Sequence, residues 1–289
     1  MSTKKLLDKV KKLREITGVG FKDCKNAIDE NNGDIEKSIE FLRKKGIAKA
    51  SKKMERVAAD GLISINEKDN NLSLIEINSE TDFVAKNEDF IKFVEEISQL
   101  ALLSGGKMED LLNSEMSNKK SVKDSLIDLI SKIGEKITIR RSVFLNSNNV
   151  VNFSYIHSAI KPNLGKLGVL LSLKSNKSKD DLLAFGKQLA MHIAASSPLA
   201  LDKGQLDQNL LNKEKEIITE ELKNAGKDAK IIDKIAIGKL NKFITDNTLL
   251  NQEWIMEPKK KVKDIIKEIS GKDEIVIDKF YRFKVGEGV

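Results

Sequence analysis

Few side chains in this 289-residue chain are of the kinds that do chemistry near neutral pH. There are two histidines, His157 and His192, and a single cysteine, Cys24. Those are too few for a zinc site. The two histidines fall in different elements, and no nucleophile motif accompanies them. Asn163-Leu164-Gly165-Lys166-Leu167-Gly168 supplies glycines and a lysine. Its spacing is wrong for a phosphate-binding loop, and no Ser or Thr follows the lysine. His192, between Met191 and Ile193 on an apolar helical pattern, reads as a structural histidine. His157 closes an alternating run beside a polar loop, where partial exposure is as natural as burial. Cys24 lies on an apolar stripe and reads as a small packing residue. No enzyme chemistry emerges, and no metal or cofactor is expected.

The remaining stretch of unusual chemistry is Ser79-Glu80-Thr81-Asp82-Phe83-Val84-Ala85-Lys86-Asn87, where a carboxylate stands beside a bulky aromatic. An alternating run from Leu72 to Ile77 precedes it and reads as a strand. Phe90, Phe93, Val94, Ile97 and Ala101 follow at helical spacing. Thr81-Asp82-Phe83 thus falls where a strand hands over to a helix, and such turns carry function more often than cores do. Burial statistics favour another reading, in which Phe83 is the first core residue of one long helix.

The elements that must position this turn begin with three short helices. Leu6, Val10 and Leu13 stripe the first, with Ile16 near its end, and Thr17-Gly18-Val19-Gly20 breaks it. Phe21, Cys24, Ala27 and Ile28 stripe the second. Asn31-Asn32-Gly33-Asp34 is a turn with Asp34 as N-cap, and Ile35, Ile39 and Leu42 stripe the third. Residues 46–55 read as a helical linker. From Ala59 the period shortens: Ile63 and Ile65, then Ile75 and Ile77, alternate across an Asp69-Asn70-Asn71 turn. After the helix to Leu103 and Gly105-Gly106 come helical stretches over 108–112 and 122–133, then an alternating strand from Ile137 to Leu145. The order then recurs weakly, offset by about 95 residues. Val151 to His157 and Leu167 to Leu173 alternate, a helix carries Leu182, Phe185, Leu189 and Ile193, and Ile275 to Val285 alternate again. Between them, Leu211, Ile218 and Ala225 step in sevens. Ala225-Gly226-Lys227-Asp228 turns the chain, and Ile232, Ile235, Ala236, Leu240 and Phe243 stripe a return helix. This pair is expected to protrude as an antiparallel hairpin whose leftover apolar edge offers a self-association surface.

The expected fold class is therefore α+β. An N-terminal three-helix domain resembling ubiquitin-associated domains occupies 1–54. A duplicated core of antiparallel sheet plus helices follows, with subdomains 55–148 and 149–289. The helical hairpin, 206–246, is inserted in the second.

Composition narrows the class. Only three prolines, Pro162, Pro198 and Pro258, interrupt helices. A third of the residues are charged, and no apolar run approaches a membrane span. The N-terminus lacks the apolar core of a signal peptide, and its acidic residues make it a poor transit peptide. One cysteine excludes an internal disulfide and points to the reducing cytoplasm. The formal charge is +7, and residues 1–54 account for all of it, with 15 basic and 8 acidic side chains. The densest part is Arg43, Lys44, Lys45, Lys49, Lys52 and Lys53. Such a charge serves a nucleic-acid footprint, steering toward an acidic protein, or merely a solvated face. An RNA-binding reading would want stacking aromatics, yet there are one Trp and two Tyr. A structural adaptor, with Asp82-Phe83 as core, is the other alternative.

Several separated motifs, in order, resemble the elongation factor Ts family. They are Leu13-Arg14-Glu15, Asp23-Cys24-Lys25, Ala58-Ala59-Asp60-Gly61, Thr81 to Asn87, Ile133-Gly134-Glu135 with Ile139-Arg140-Arg141, and Tyr155-Ile156-His157. Met191-His192-Ile193-Ala194-Ala195-Ser196, Met256-Glu257-Pro258, Arg282-Phe283 and Val285-Gly286-Glu287-Gly288 complete the series. The resemblance implies a cytoplasmic guanine nucleotide exchange factor without catalytic residues. It would bind elongation factor Tu in its GDP-bound and nucleotide-free forms, without direct contact to nucleic acid or membrane. It implies that Thr81, Asp82, Phe83 and Val84 dislodge the partner's magnesium, and that Arg14, Phe21 and Lys22 touch its nucleotide-binding domain. His157 matches a position near the partner's last domain. Many members carry a further C-terminal helix after Gly-Glu-Gly, whereas this chain stops at Val289, so that helix's contacts are not carried over. An exchange factor needs no base or nucleophile. It needs higher affinity for the emptied site than for the occupied one.

Overall fold

Helices α1 (Thr3–Thr17), α2 (Phe21–Glu30) and α3 (Ile35–Lys53) form at the expected stripes in the computed structural model. The structure describes residues 3–17, 19–146, 148–226 and 228–289. Met1, Gly18 of the first break and Lys227 of the hairpin turn lie outside the described residues. Val10, Leu13, Cys24, Ala27, Ile28 and Leu42 bury one another. Cys24 gives its thiol proton to the Val19 carbonyl at 3.3 Å, and burial holds the thiol above its ordinary value. Asp34 caps α3 by accepting from the Lys37 N–H at 3.0 Å. Phe21 departs from its expected stripe and is exposed. The stretch expected as a helical linker is helical to Lys53 and runs on from α3 without a break.

Strands β1 (Asp60–Lys68) and β2 (Asn71–Ser79) form a hairpin closed by Asp69 and Asn70. Both turn residues have positive φ, 52° and 62°, as a two-residue hairpin turn requires. Asn71, expected in the turn, opens β2. After helices α4 (Asp82–Ala85), α5 (Glu88–Leu103), α6 (Met108–Asn113) and α7 (Val122–Ile133), strand β3 (Ile137–Leu145) pairs antiparallel with β2. Next come β4 (Val151–His157), β5 (Leu164–Gly165) and β6 (Leu167–Ser175); β5 pairs antiparallel with β1. Sequence alternation implied one buried face, but Ile63, Ile65, Leu72 and Leu74 are buried as fully as Leu62, Ile75 and Ile77. Only the latter set belongs to the core under α5 and α7. Ile63 and Leu74 pack against Gly168, where an added Cβ would lie 2.6 and 2.7 Å from their side chains.

By its internal contacts the chain divides into two compact units. The first comprises Met1–Leu145, Ile156–Gly168 and Phe283–Val289, and Glu76 of β2 ties its last segment down. Glu76 is fully buried, and its carboxylate accepts from Arg140 Nη1 (3.1 Å), Arg141 Nε (2.5 Å), Asn78 Nδ2 (3.0 Å) and the Gly286 N–H (2.9 Å). Arg140 also donates to the Glu287 carbonyl (2.7 Å), and Arg141 lies 4.0 Å from the Phe283 ring centroid. Gly286 has φ 71° and an added Cβ would fall 2.0 Å from the Ala59 carbonyl oxygen, so only glycine fits.

The second unit comprises Asn146–Tyr155 and Val169–Arg282. After β6 it contains helices α8 (Lys179–Ser196), α9 (Gln208–Asn224) and α10 (Ala229–Asn247), and then strands β7 (Glu253–Trp254) and β8 (Glu257–Lys261). Helix α11 (Val262–Ser270) and strand β9 (Ile275–Lys284) close the sequence of elements. Its sheet runs β4-β6-β9. Here β6 is flanked by β4 and β9 as β2 is flanked by β1 and β3, and a helix follows each central strand, which is the duplicated order expected. The antiparallel helices α9 and α10 bury Ile218, Leu222, Ile232 and Ala236 between them, while Ile217, Ile231 and Ile237 stay exposed. Helix α11 was not anticipated, although Val262, Ile265, Ile266 and Ile269 already stripe one face.

His192 is buried as expected, stacked 5.2 Å from Trp254. Its Nδ1 accepts from the Ile255 N–H at 3.4 Å, so Nε2 carries the proton and donates to Gln252 Oε1 at 3.0 Å. A second proton would break the Ile255 contact and charge a desolvated ring, and burial lowers its pKa from 6.5. The unfolded chain therefore takes up the proton first, so stability present above pH 6.5 is lost as the pH falls toward the folded value. As the pH falls below about 6.5, the melting temperature should drop more steeply for the native chain than for His192→Gln. Parallel melting curves would show that His192 does not titrate on unfolding.

Candidate functional site

The turn from β2 into α5 is built in three steps. Asn87 caps α5 by accepting from the Asp89 and Phe90 N–H groups (2.9 and 3.3 Å), a contact of about 1 kcal/mol. This stops the apolar helix at Glu88 rather than letting it run back through Phe83. The four residues of α4 then form a separate turn, in which Val84 and Ala85 face the core and Phe83 faces out. Phe83 is 80% exposed, the most exposed large apolar side chain among the described residues. The reading of Phe83 as a core residue is thereby corrected: the helical period is broken between Ala85 and Glu88, so the stripe never reaches it.

Around Phe83 the backbone is held tightly. Thr81 donates from its N–H to Glu135 Oε2 (3.1 Å) and from its hydroxyl to Glu135 Oε1 (2.8 Å). Ser79 Oγ donates to the Thr81 carbonyl at 2.9 Å. Glu80 accepts from the Lys136 N–H at 2.5 Å and from Arg56 Nη1 at 3.2 Å. Burial of Glu80 opposes ionisation, but these donors outweigh it and hold its carboxyl below the usual range. Lys136 Nζ in turn donates to the Met54 and Arg56 carbonyls, both at 2.7 Å. Asp82 pairs with Lys86 at 2.7 Å, and that hydrogen bond lowers the Asp82 pKa, keeping it a carboxylate near neutrality.

Of the residues singled out in the sequence, Arg14, Phe83 and Val84 line one open groove of about 490 Å³. Gly20, Asn87 and Lys132 line it as well. Phe21 and Lys22, both exposed, open α2 directly after Gly20. Thr81 and Asp82 adjoin the groove without lining it. His157 is exposed at the end of β4 and does not line it; its carbonyl accepts from the Lys166 N–H at 3.3 Å. Lys166 pairs with Asp60. The sequence reading missed Glu80, Glu135, Lys136 and Arg56 as supports of the turn. Ile133-Gly134-Glu135 stood out only as a motif, and nothing in its spacing says that Glu135 reaches a residue 54 positions earlier. Among the described residues no three His, Cys, Asp or Glu side chains gather where they could hold a metal ion, and no helix is long and apolar enough to cross a membrane.

Comparison with known proteins gives this arrangement a family. Residues 80–287 match the model of the family described as Elongation factor TS. The chain is 43% identical over 285 residues to the elongation factor Ts of Bartonella tribocorum, an alignment covering 97% of this chain and 92% of that protein. It is 42% identical over 283 residues to those of Methylorubrum extorquens and Rickettsia felis, covering 97% of this chain and 92% and 91% of theirs. A match of this extent, over 97% of the chain, shows that the chain belongs to the elongation factor Ts family, with the role of a translation elongation factor.

Proposed function

We propose that the chain is a guanine nucleotide exchange factor that binds elongation factor Tu and promotes GDP release by binding, without bond chemistry of its own. The observation that carries this reading is Phe83, 80% exposed on a turn pinned from two sides and sharing a groove with Arg14. An exposed aromatic on a rigid turn is suited to insertion into another protein. In this reading Phe83 enters beside the partner's magnesium and phosphate site, Val84 supports it from the core side, and Thr81 sets the turn. The Asp82 carboxylate competes for the charges there. Arg14, Phe21 and Lys22 hold the nucleotide-binding domain, and His157 meets the last domain. Residues 1–54 then act as an anchoring module, and the hairpin 206–246 lies outside the exchange face. Its exposed Ile217, Ile231 and Ile237 suit self-association.

The direct test mixes the chain with elongation factor Tu carrying fluorescent GDP and excess unlabelled nucleotide. Release should accelerate with chain concentration and saturate. Release at the intrinsic rate at every concentration would end the exchange reading.

Electrostatic steering by the N-terminal module gives a second measurement. Deleting the whole module would remove Ala50, which belongs to the core of the first unit, and uncover the side chains packed on it, so charge removal is cleaner. Replacing the exposed Lys11, Lys12, Lys25 and Lys37 with Gln should slow association with elongation factor Tu by about 3- to 10-fold at low salt. The difference should vanish above about 0.5 M salt, where screening is short-ranged. An unchanged ionic-strength slope would remove steering from the account.

A further inference from the structure

We propose that Glu135 is the positioning residue for the exchange turn, setting the direction in which Phe83 is presented; this rests on the exchange reading above. A four-residue helix has almost no stability of its own, because nucleation fixes several residues for one hydrogen bond. Thr81 stands at the N-cap of α4 in extended backbone, φ −128° and ψ 158°, yet makes no side-chain cap. A threonine there ordinarily accepts from the helix's own N–H groups. Here the hydroxyl is turned away and donates to Glu135 Oε1, while the Thr81 N–H donates to Glu135 Oε2. Both polar groups that Thr81 could offer as donors are therefore committed to one carboxylate, and Thr81 acts through Glu135 rather than on the partner.

The clasp is reciprocal. Glu135 grips the backbone at Thr81, and Glu80, the residue before Thr81, grips the backbone at Lys136, the residue after Glu135. Two exchanged carboxylates lock a strand-to-helix junction against a helix-to-strand junction. Gly134 sets the geometry by ending α7 in the left-handed region at φ 90°, which places Glu135 outside the helix. Below the turn, Val84 and Ala85 are held in the core. The only large apolar side chain of α4 left outside is Phe83, with the half-exposed Asp82 beside it, so a tilt of the turn redirects these two.

The test uses the full chain and fluorescent-GDP release from elongation factor Tu, read as the maximal rate and the half-saturating concentration. Glu135→Ala removes both acceptors and should lower the maximal rate about tenfold. Glu135→Gln should restore most of it, because its carbonyl oxygen accepts from the Thr81 N–H and its amide donates to the Thr81 hydroxyl oxygen. In a Phe83→Ala background, Glu135→Ala should add less than about twofold, because the side chain it aims is gone. Losses that multiply in the double variant, or exchange per folded molecule that is unaltered by Glu135→Ala, would overturn the positioning role. If Glu135→Ala does not fold, Thr81→Val carries the same test, since it deletes the hydroxyl arm alone; a normal maximal rate would overturn the proposal. Loss in Phe83→Ala with none in Glu135→Ala rejects this inference and leaves the exchange reading standing. No loss in Phe83→Ala removes Phe83 from the exchange face and this inference with it, whereas the exchange reading itself ends only if the native chain leaves release at the intrinsic rate.

Discussion

Phe83→Ala should slow elongation factor Tu-dependent GDP release by at least about tenfold, a loss of roughly 1.4 kcal/mol, while the melting temperature stays within about 2 °C of the native value. The two halves of this expectation come from one number. At 80% exposure the Phe83 ring fills no cavity in the free protein, so its removal forfeits little packing. A buried phenylalanine would cost about 3–5 kcal/mol instead. Aromatic anchors at the centre of protein interfaces commonly account for 2 kcal/mol or more when truncated, so tenfold is a conservative floor. Adding Asp82→Ala removes the carboxylate and frees Lys86 from its ion pair. The double variant should bind nucleotide-free elongation factor Tu more weakly than the GDP-bound form is affected, because reciprocal coupling concentrates the loss in the state that the turn favours. A large fall in melting temperature with normal exchange per folded molecule would return Phe83 to a structural role.

Glu76→Ala should destabilise the first unit by about 3–5 kcal/mol, lowering its melting temperature by roughly 10 °C. The removed carboxylate is fully buried and faces two arginines, so its loss strands Arg140 and Arg141 and leaves the Gly286 N–H without its acceptor. Glu76→Gln should be milder, since one oxygen and the shape remain, but it still leaves two guanidinium groups against a neutral partner. The effect should be local before it is global. Amide exchange in residues 283–289 should accelerate more than in α5, because those residues are fastened through Glu76 and the arginines it orients. Equal protection of the C-terminal segment in native chain and variant would show that Glu76 does not fasten it.

These two residues also mark where the sequence is legible and where it is not. The stripes of α1, α2 and α7, the hairpin turn at Asp69-Asn70, and the Asn-Gly-Asp turn before α3 are local signals, and each element formed where its pattern lay. Helix α11 carried the same kind of signal unread. Glu76 did not: on a strand with Ile75 and Ile77 in the core, alternation assigns it to the opposite face, and only tertiary pairing shows that this face is buried too. Phe83 was ambiguous because a helical period can be extended backwards on paper without limit, whereas the Asn87 cap stops the real helix at Glu88.

Local chemistry in the sequence thus determined the elements, the basic charge of residues 1–54, and the place of the Thr-Asp-Phe turn between a strand and a helix. Its motifs also determined the family. Tertiary structure decided which side of that turn faces out, that Arg14 and Phe83 share a groove, and that Glu135 and Glu80 exchange carboxylates across 54 and 56 positions of chain. The physical reason is range. Capping, turn and stripe preferences act over a few residues and are written in neighbouring letters. The burial of a strand's second face and the meeting of two distant junctions depend on which surfaces pack together, and no short window of sequence contains both partners.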